Sequence, residues 1–335
     1  MQQARIWTGK ALQPEALALL EGIATITVSS AGERGAWYEE ALGSDVIMPS
    51  GEPFVTGEVM DRIGPRLRII ARTGIGVDRV DLEAATRRGI LVINSPDGPT
   101  ESTAEHAIAL MLALTKRVME TDRVLRAGQP YPTLAQVTPG FEVFGATLGL
   151  VGLGRIGSRV AAIARVLGMH VLAYDPLFPT ERAAALGVEL LPSLEEMLPH
   201  VQVLSLHCPA TPQTHHILNA GTLQLLPRGS YLINVARGAL IDEAALLDAL
   251  RSGHLAGAGL DVYDPEPPTT NHPLFTLPNT ICTPHIGSYT LASLKRMQVM
   301  TCEQIVVALR GERPANLVNA GVWEKHSYRR NQGGL

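Results

Sequence analysis

The sequence predicts an α/β protein built from two open parallel-sheet domains. Short apolar runs alternate with polar helical segments over the first hundred residues, and a second series of the same kind runs from TLGLVGLG to TICTPH. This alternation is typical of parallel strands joined by crossover helices. The chain has 335 residues, of which 46% are hydrophobic, and this length suits about two domains with their own cores.

The first series contains five predicted strands, which read ARIWT, ATITV, SDVIM, LRIIA and ILVIN. A glycine-rich turn at Gly74, Ile75 and Gly76 follows LRIIA. Exposed amides of such a turn bind anions, so the turn is predicted to hold a substrate carboxylate at a cleft between the domains. A tight turn that binds nothing is the alternative, since tight turns also favour glycine.

A long helix is predicted between the two series. Ser102 and Glu105 form a capping box at its start, and Gly128 stands where a left-handed residue would end it. These signals indicate a single helix of about 25 residues, roughly 37 Å long. Its apolar stripe predicts contact with the other domain or a second subunit, and burial in one core is the alternative. The stripe consists of Ala107, Leu110, Met111 and Leu114.

The segment LGLVGLGRIGSRV has the spacing of a dinucleotide-binding turn. Gly152, Gly154 and Gly157 follow a predicted strand at 148–151 and open a helical pattern. The strand HVLAY then ends at Asp175, 18 residues beyond Gly157. Strand, glycine turn, helix, strand and acid therefore occur in the order that a dinucleotide-binding unit requires.

Each part of this unit has a physical task. Gly152 permits the tight turn, Gly154 lets backbone amides approach the pyrophosphate, and Gly157 lets the helix lie close to the strand. Asp175 is predicted to accept hydrogen bonds from a ribose 2′-hydroxyl and to repel a 2′-phosphate. The predicted cofactor is therefore NAD rather than NADP. A βαβ turn without a nucleotide is the alternative.

Reactive side chains follow three later strands, at the carboxyl ends where α/β sheets bind ligands. Arg237 follows YLINV, Glu266 lies beyond AGAGLD, and His285 follows TICTP. Arg237 is predicted to hold a substrate carboxylate by a two-pronged contact, and His285 to donate or remove a proton during hydride transfer. Glu266 would orient the imidazole and stabilise its positive charge. Solvated surface residues are the alternative for each one taken singly.

Composition excludes several other classes. The net charge of −4, from 28 Lys and Arg against 32 Asp and Glu, provides no basic surface for nucleic acid or an anionic membrane. Three cysteines without CxxC spacing indicate reduced thiols rather than a disulfide or zinc framework. No metal is expected, and His215 and His216 are predicted at the surface. Without a signal segment or an apolar stretch of about 18 residues, the predicted location is the cytoplasm.

The chain resembles the D-isomer-specific 2-hydroxyacid dehydrogenase family. The resemblance rests on ARTGIGVDRVDLEAATRRGILVIN, GLVGLGRIG, LSLHCPATPQT, LINVARGALIDEAALLDALRSGHLAGAGLDVYDPEP and TPHIGS. It implies that the Arg, Glu and His at the strand ends are catalytic and that the first glycine turn binds the substrate carboxylate. It also implies that Asp261 holds the nicotinamide carboxamide and Asp175 the adenosine ribose. Further predicted cofactor contacts are Arg155, Ile156, His207, Cys208, Pro209, Thr214, Ala236 and Gly287.

The resemblance further implies a split substrate domain. Residues 1–98 and 286–320 are expected to form this flavodoxin-like domain, with a Rossmann-type NAD-binding domain at 99–285 inserted in it and a tail at 321–335. Homodimers through the nucleotide-binding domains are usual in the family, and the long apolar helix agrees with a homodimer here.

The substrate is left open among 2-oxo and D-2-hydroxy acids. DLEAATRRGILVINSPDG and AYDPLFPTERAAALGVELL look most like the phosphoglycerate dehydrogenase branch, which implies 3-phosphoglycerate. The sequence also departs from the resemblance, because Arg79 stands where the family commonly has Asn after GVD. Ser50, Gly51 and Glu52 occupy the loop where a basic phosphate contact is expected, and YPTLAQVTPGFEVF replaces the usual Trp-containing approach to the nucleotide-binding domain. A hydroxypyruvate or glyoxylate reductase is the alternative enzyme. An NAD(H)-sensing corepressor or binding protein is the alternative of another class.

Overall fold

A computed structural model of the protein describes residues 3–30, 36–49, 51, 54–128 and 138–325. The chain forms two compact units, Met1–Pro99 together with Thr290–Leu335, and Thr100–Tyr289. The unit boundaries thus fall after residues 99 and 289, where the sequence analysis placed them after 98 and 285. The first half of YPTLAQVTPGFEVF, at 131–137, lies outside the described residues, as do Ser50 and Glu52.

Within the described ranges the chain contains twelve strands and twelve α-helices. The strands are β1 (Ala4–Thr8), β2 (Ala24–Val28), β3 (Val46–Met48), β4 (Ile69–Ala71), β5 (Leu91–Ile93), β6 (Thr147–Val151), β7 (His170–Tyr174), β8 (Glu189–Leu190), β9 (Val203–Leu206), β10 (Ser230–Asn234), β11 (Leu255–Leu260) and β12 (Thr280–Cys282). The helices are α1 (Pro14–Ala18), α2 (Gly57–Ile63), α3 (Leu82–Arg87), α4 (Thr100–Thr115), α5 (Val118–Arg126), α6 (Arg155–Val166), α7 (Thr180–Ala185), α8 (Leu194–Met197), α9 (Ala220–Leu225), α10 (Glu243–Arg251), α11 (Leu291–Leu309) and α12 (Gly321–Lys325). Not one of these helices combines the length and apolar character that a bilayer crossing requires.

The first unit contains a five-stranded parallel sheet in the order β2-β1-β3-β4-β5, which is the flavodoxin-like order. Every residue of β3, β4 and β5 is buried. Ile69 and Ala71 join one core cluster, whereas Ile70 joins another. Since successive side chains of a strand point to opposite faces, the sheet has a packed core on each side, and this explains its continuous apolar runs. The predicted parallel α/β class is confirmed here.

The tail predicted at 321–335 begins too early. Residues 321–325 form α12, and the side chains of Val322 and Trp323 are buried in the same cluster as Ile305 and Val306 of α11. Two large apolar side chains at adjacent positions stabilise this short helix by packing against the first unit. Residues 326–335 of the predicted tail lie outside the described residues.

The second unit contains a seven-stranded parallel sheet in the order β12-β11-β10-β9-β6-β7-β8. Counted from β6, this is the Rossmann order with one strand added, which confirms the predicted Rossmann-type domain. The order reverses between β6 and β9, and dinucleotides bind beyond the carboxyl ends of strands at such a point. The sheet therefore positions the glycine turn after β6 at the edge where a cofactor is expected.

The prediction of a single long helix between the two series is wrong, because the chain forms two helices there, α4 and α5. Arg117 between them has a φ of 56°, in the left-handed region that ends a helix. The amide of Phe141 donates a hydrogen bond to the Thr115 carbonyl at 2.8 Å. In a continuous helix the Thr115 carbonyl would accept from the amide of Met119, four residues later. Here it accepts from Phe141 instead.

The predicted ends of this helical region are partly correct. α4 begins at Thr100, so Ser102 is a buried residue of its first turn and not the N-cap. At the other end, Gly128, the second residue after α5, has the predicted left-handed conformation, with a φ of 66°. Pro99, one residue before α4, suits the start of a helix because proline is tolerated where amides have no intrahelical partner.

The apolar stripe of α4 lies in the core of the second unit. A Cβ atom on Gly259 would be 3.1 Å from the Leu110 Cβ atom, and one on Gly257 would be 2.9 Å from the Leu114 Cδ1 atom. The AGAG segment of β11 therefore lets α4 lie close to the sheet. The alternative reading of the stripe, burial in one core, is the correct one.

Candidate active site

Arg237, Glu266 and His285 follow three neighbouring strands of the second unit. β10 pairs in parallel with β11, and β11 pairs in parallel with β12. Asn234 lies opposite Leu260, which in turn lies opposite Cys282. Because the carboxyl ends of the three strands are in register, their loops emerge at one edge of the sheet.

His285 and Glu266 form a direct pair at this edge. The Nδ1 atom of His285 lies 2.7 Å from a carboxylate oxygen of Glu266. The His285 side chain is 45% exposed, and that of Glu266 is 23% exposed. A carboxylate can only accept, so Nδ1 carries a proton and Nε2 remains for a ligand. The arrangement is that of an oriented acid or base at a solvent-accessible position.

Asp261 fixes the backbone around His285, a role that sequence analysis missed. His285 has a φ of 53°, and its amide donates to the Asp261 carbonyl oxygen at 2.8 Å. The Asp261 side chain is 1% exposed. Its oxygens accept hydrogen bonds from the amides of Ile286 and Gly287 at 2.9 and 2.8 Å, and from the Thr283 hydroxyl at 2.5 Å.

His106 of α4 completes the surroundings of Asp261. Its Nε2 atom lies 3.0 Å from the Thr283 hydroxyl and 3.4 Å from the Asp261 carboxylate. Burial alone would raise the pKa of Asp261, but the hydrogen bonds from His106, Thr283 and the two amides outweigh it and lower the pKa. The carboxylate is therefore ionised near neutral pH. No local motif signals this contact, because His106 lies in a different element far away in the sequence.

Arg237 is held in a tight turn after β10. The amide of Ala236 donates to the Asn234 side chain at 3.0 Å, and that side chain donates to the Arg237 carbonyl at 2.8 Å. A Cβ atom on Gly238 would lie 2.0 Å from the carbonyl carbon of Tyr263. Glycine at this position therefore lets the turn of Arg237 lie directly against the loop that leads to Glu266.

The loop that carries Glu266 is supported by a second pair of a carboxylate and an imidazole, which is less exposed than the first. The carboxylate of Glu243 accepts from the amide of Asp264 at 3.1 Å and lies 2.9 Å from the His272 Nε2 atom. The side chains of Glu243 and His272 are only 22% and 11% exposed. This pair ties α10 to the chain just before Glu266.

The glycine turn after β6 has the geometry that the sequence predicted for it. Gly152 has a φ of 95°, and a Cβ atom there would lie 2.7 Å from the Cys208 amide nitrogen. A Cβ atom on Gly157 would lie 2.2 Å from the Gly152 carbonyl oxygen. In contrast, a Cβ atom on Gly154 would have no atom within 4 Å. The turn is thus tightly packed at Gly152 and Gly157 and open at Gly154. The open side leaves room for a pyrophosphate at the start of α6.

Asp175 lies beside this turn, at the end of β7. One of its carboxylate oxygens accepts from the Leu153 amide at 2.8 Å, and the other accepts from the Leu177 amide at 3.0 Å. Each carboxylate oxygen has more than one acceptor position, so the side chain retains capacity for a ribose hydroxyl. Arg155 and Ile156 form the first turn of α6, with Arg155 exposed and Ile156 partly buried.

The loop after β9 closes the opposite side of the turn. Burial lowers the pKa of His207 to about 3, so its ring is neutral. Its Nε2 atom lies 2.9 Å from the Ser205 hydroxyl, while the buried Nδ1 atom has no partner among the described residues. Burial raises the pKa of Cys208 to about 11, so the thiol is protonated. The Thr214 hydroxyl donates to the Pro209 carbonyl at 2.7 Å and closes the loop. An unpartnered nitrogen beside an open glycine turn fits a bound dinucleotide.

The first unit presents the Gly74, Ile75 and Gly76 turn. The amide of Gly74, which has a φ of 131°, donates to the Ser95 hydroxyl at 2.7 Å. The Asn94 side chain donates to the Ile75 carbonyl at 2.8 Å. Among the described residues, no hydrogen-bond acceptor faces the amides of Ile75 and Gly76. Two free amides in a braced turn suit an anion.

Comparisons with known proteins show which family the chain is similar to. Residues 108–287 match the family model for the NAD-binding domain of D-isomer-specific 2-hydroxyacid dehydrogenases. A D-3-phosphoglycerate dehydrogenase of Methanocaldococcus jannaschii is 38% identical over 92% of this chain and 58% of that protein. A glyoxylate reductase of Aeropyrum pernix is 36% identical over 96% of this chain and 98% of that protein. The crystal structure of the TT0316 protein of Thermus thermophilus superposes with a TM-score of 0.82 at 40% identity, covering 94% of this chain and 99% of that one.

The two kinds of relative differ in length. The chain spans 58% of the Methanocaldococcus phosphoglycerate dehydrogenase and 51% of that of Mycobacterium leprae, to which it is 42% identical. It therefore covers little more than half of the phosphoglycerate dehydrogenases that it matches, but nearly all of the glyoxylate reductase.

Proposed function

The chain belongs to the D-isomer-specific 2-hydroxyacid dehydrogenase family, and from this we propose that it is an NAD-dependent oxidoreductase acting on a D-2-hydroxy acid or the corresponding 2-oxo acid. The bound nicotinamide supplies or accepts the hydride. The observation that carries the proposal is the His285–Glu266 pair at 2.7 Å, next to the turn of Arg237 and on the same sheet edge as the glycine turn.

The chain's own residues have distinct roles in this proposal. Arg237 binds the substrate carboxylate through a planar two-pronged contact, which also polarises the adjacent carbonyl. His285 donates a proton from Nε2 to the substrate oxygen during reduction and removes it during oxidation. Glu266 holds the imidazole in one orientation and stabilises the charge that it carries after protonation. The turn of Gly74, Ile75 and Gly76 in the first unit is proposed to bind an anion through its amides.

The substrate is proposed to be 3-phosphoglycerate, with hydroxypyruvate or glyoxylate as the second candidate. The phosphoglycerate and glyoxylate relatives are 38% and 36% identical to this chain, so both chemistries are represented among similar proteins. The test is the loss of NADH absorbance with phosphohydroxypyruvate, hydroxypyruvate, glyoxylate and pyruvate. We expect the highest kcat/KM with phosphohydroxypyruvate, and a preference for an unphosphorylated acid would favour the second candidate.

The same panel tests the alternative of an NAD(H)-sensing corepressor or binding protein. Tight NADH binding with no turnover of any acid would support that alternative and reject the oxidoreductase. Turnover of at least one 2-oxo acid would reject the sensor as the sole function, because a protein that only binds NADH does not reduce a substrate.

Asp175 is proposed to select NAD over NADP. In Asp175→Asn the charge is lost while the size is kept, so the repulsion of a 2′-phosphate is removed. Like charges about 4 Å apart near a surface repel by on the order of 1–4 kcal/mol. We therefore expect the ratio of KM for NADP to KM for NAD to fall by about ten-fold or more. Steady-state kinetics with both cofactors measure this ratio.

The control for this variant is Glu195→Gln, which neutralises an exposed acid of α8. It should leave the ratio unchanged. An unchanged ratio in Asp175→Asn as well would show that Asp175 does not read the 2′ position.

A homodimer and a cytoplasmic location complete the proposal. No residue of α5 is buried, and its Val118, Met119 and Leu125 side chains are exposed. An apolar surface of this kind suits a second copy of the chain. The free thiols of Cys208, Cys282 and Cys302 suit a reducing compartment.

A further inference from the structure

Two histidines and one aspartate converge at the carboxyl edge of the second unit's sheet, outside the residues assigned so far. His215 and His216 lie in the loop after β9, and Asp264 lies in the loop after β11. One ligand atom from each side chain lies within 4.8 Å of the other two. The two imidazole rings are stacked, with centroids 3.9 Å apart and planes inclined by 23°.

The three side chains are free, although their backbones are anchored. Among the described residues, none forms a hydrogen bond or an ion pair with these side chains. The amide of His216 donates to the Ala239 carbonyl at 2.9 Å, and that of Asp264 to the Glu243 carboxylate at 3.1 Å. His216 also has a φ of 49°, a strained conformation for a residue other than glycine. The loops thus hold three unpaired ligand atoms close together.

We propose that His215, His216 and Asp264 bind a divalent transition-metal ion of the Zn²⁺ type. Two imidazole nitrogens and one carboxylate oxygen are a ligand set that Zn²⁺ accepts, with water in the fourth position. Mg²⁺ and Ca²⁺ prefer oxygen ligands and six or more of them. The chemistry of the donor atoms therefore selects a borderline-soft ion.

The spacing of the ligand atoms is compatible with a single ion after small rotations. Zn–N and Zn–O bonds of about 2.0–2.2 Å place two ligands of a tetrahedral ion roughly 3.4 Å apart. The largest separation in the cluster is 4.8 Å or less. His215 and Asp264 are exposed, so their side chains border solvent on the side away from the stacked rings. The sequence could not reveal this site, because Asp264 lies 48 residues beyond His216 and no zinc spacing links them.

Such an ion would join two loops of one sheet edge. Asp264 lies two residues before Glu266, so a bound ion would restrain the loop that carries the partner of His285. An ion that binds the native state only also stabilises it. The consequence to be measured is therefore a rise in the thermal midpoint with Zn²⁺.

The test is calorimetric titration of the full chain, freed of metal by a chelator, with ZnCl₂. We expect the unmodified chain to bind Zn²⁺ saturably. At one of its sites the affinity should fall about ten-fold or more in His216→Gln and in Asp264→Asn, since even the loss of a residue that supports a metal ligand typically costs 10- to 100-fold in metal affinity. The Zn²⁺-induced rise in thermal midpoint should be lost in both variants. Asp264→Asn changes no described contact of the side chain, so it guards against misfolding of the histidine variant.

The matched control is His200→Gln, which removes an exposed histidine of the same unit. It should bind Zn²⁺ as the unmodified chain does. The proposal would be overturned if both ligand variants bound Zn²⁺ with the affinity of the unmodified chain, or if the unmodified chain showed no saturable binding. Binding of Mg²⁺ as tightly as Zn²⁺ would overturn the assignment of the ion class.

Discussion

Replacement of His285 by alanine is expected to lower kcat for the 2-oxo acid by about 10²-fold or more, because general acid–base catalysis contributes about 10²–10⁴. Glu266 orients the imidazole by a 2.7 Å contact, and alanine has no group that can carry a proton. KM for NADH should change little, since the glycine turn and Asp175 are untouched. Steady-state and single-turnover measurements of NADH oxidation give these constants.

The backbone at this position requires a second variant. His285 has a φ of 53°, which asparagine tolerates better than alanine. His285→Asn should therefore keep the fold and still lose activity. His200→Ala, at an exposed histidine remote in sequence from the site, serves as the control with normal turnover. If His285→Asn retained more than about a tenth of the normal kcat, the proton would have to come from another group.

The strands and the order of the site residues could be predicted because they depend on local patterns. The runs ILVIN and LRIIA contain strands buried on both faces, and strands of this kind appear in a sequence as uninterrupted apolar segments. Gly152, Gly154 and Gly157 could be interpreted individually, since each has a separate steric reason. Parallel pairing then places successive strand ends at one edge, which brought His285 and Glu266 together without any knowledge of their distance.

Features that depend on distant contacts could not be predicted. The break after Thr115 coincides with a hydrogen bond from the Phe141 amide to the Thr115 carbonyl, and the helical pattern of the sequence continues across it. The burial of Trp323 depends on α11, so a polar neighbourhood in the sequence suggested a tail. The cluster around Asp261 needs His106 from α4, and no local spacing joins the two.

Asp261 is expected to act as a positioning residue, and Asp261→Asn should lower kcat by about two orders of magnitude. Both carboxylate oxygens of Asp261 accept hydrogen bonds. Asparagine has only one side-chain oxygen, so its NH₂ group would face at least one of these donors. Those donors include the amides of Ile286 and Gly287 at 2.9 and 2.8 Å. A displacement of about 1 Å in a catalytic group costs on the order of 10²-fold in rate, and His285 directly precedes these amides.

The same substitution should also reduce stability. A buried donor left without an acceptor costs about 1–3 kcal/mol in the free energy of unfolding, which denaturant unfolding measures. Because the pKa of Asp261 is lowered in the folded protein, its carboxylate stabilises the fold above its unfolded pKa. That contribution is lost as the pH falls through the folded pKa. The variant should therefore lack this part of the acid dependence of stability.

The kinetic constants separate this role from the direct contact with the nicotinamide carboxamide that family resemblance implies for Asp261. If the side chain positions His285, kcat falls, the pH profile of kcat changes and KM for NADH is nearly constant. If it contacts the cofactor instead, KM for NADH rises while kcat is largely kept. Asp248→Asn on the exposed side of α10 controls for the loss of one negative charge. The carboxylate is 1% exposed and its oxygens accept from two amides and a hydroxyl, so we expect the first outcome, and a pure KM effect would reject it.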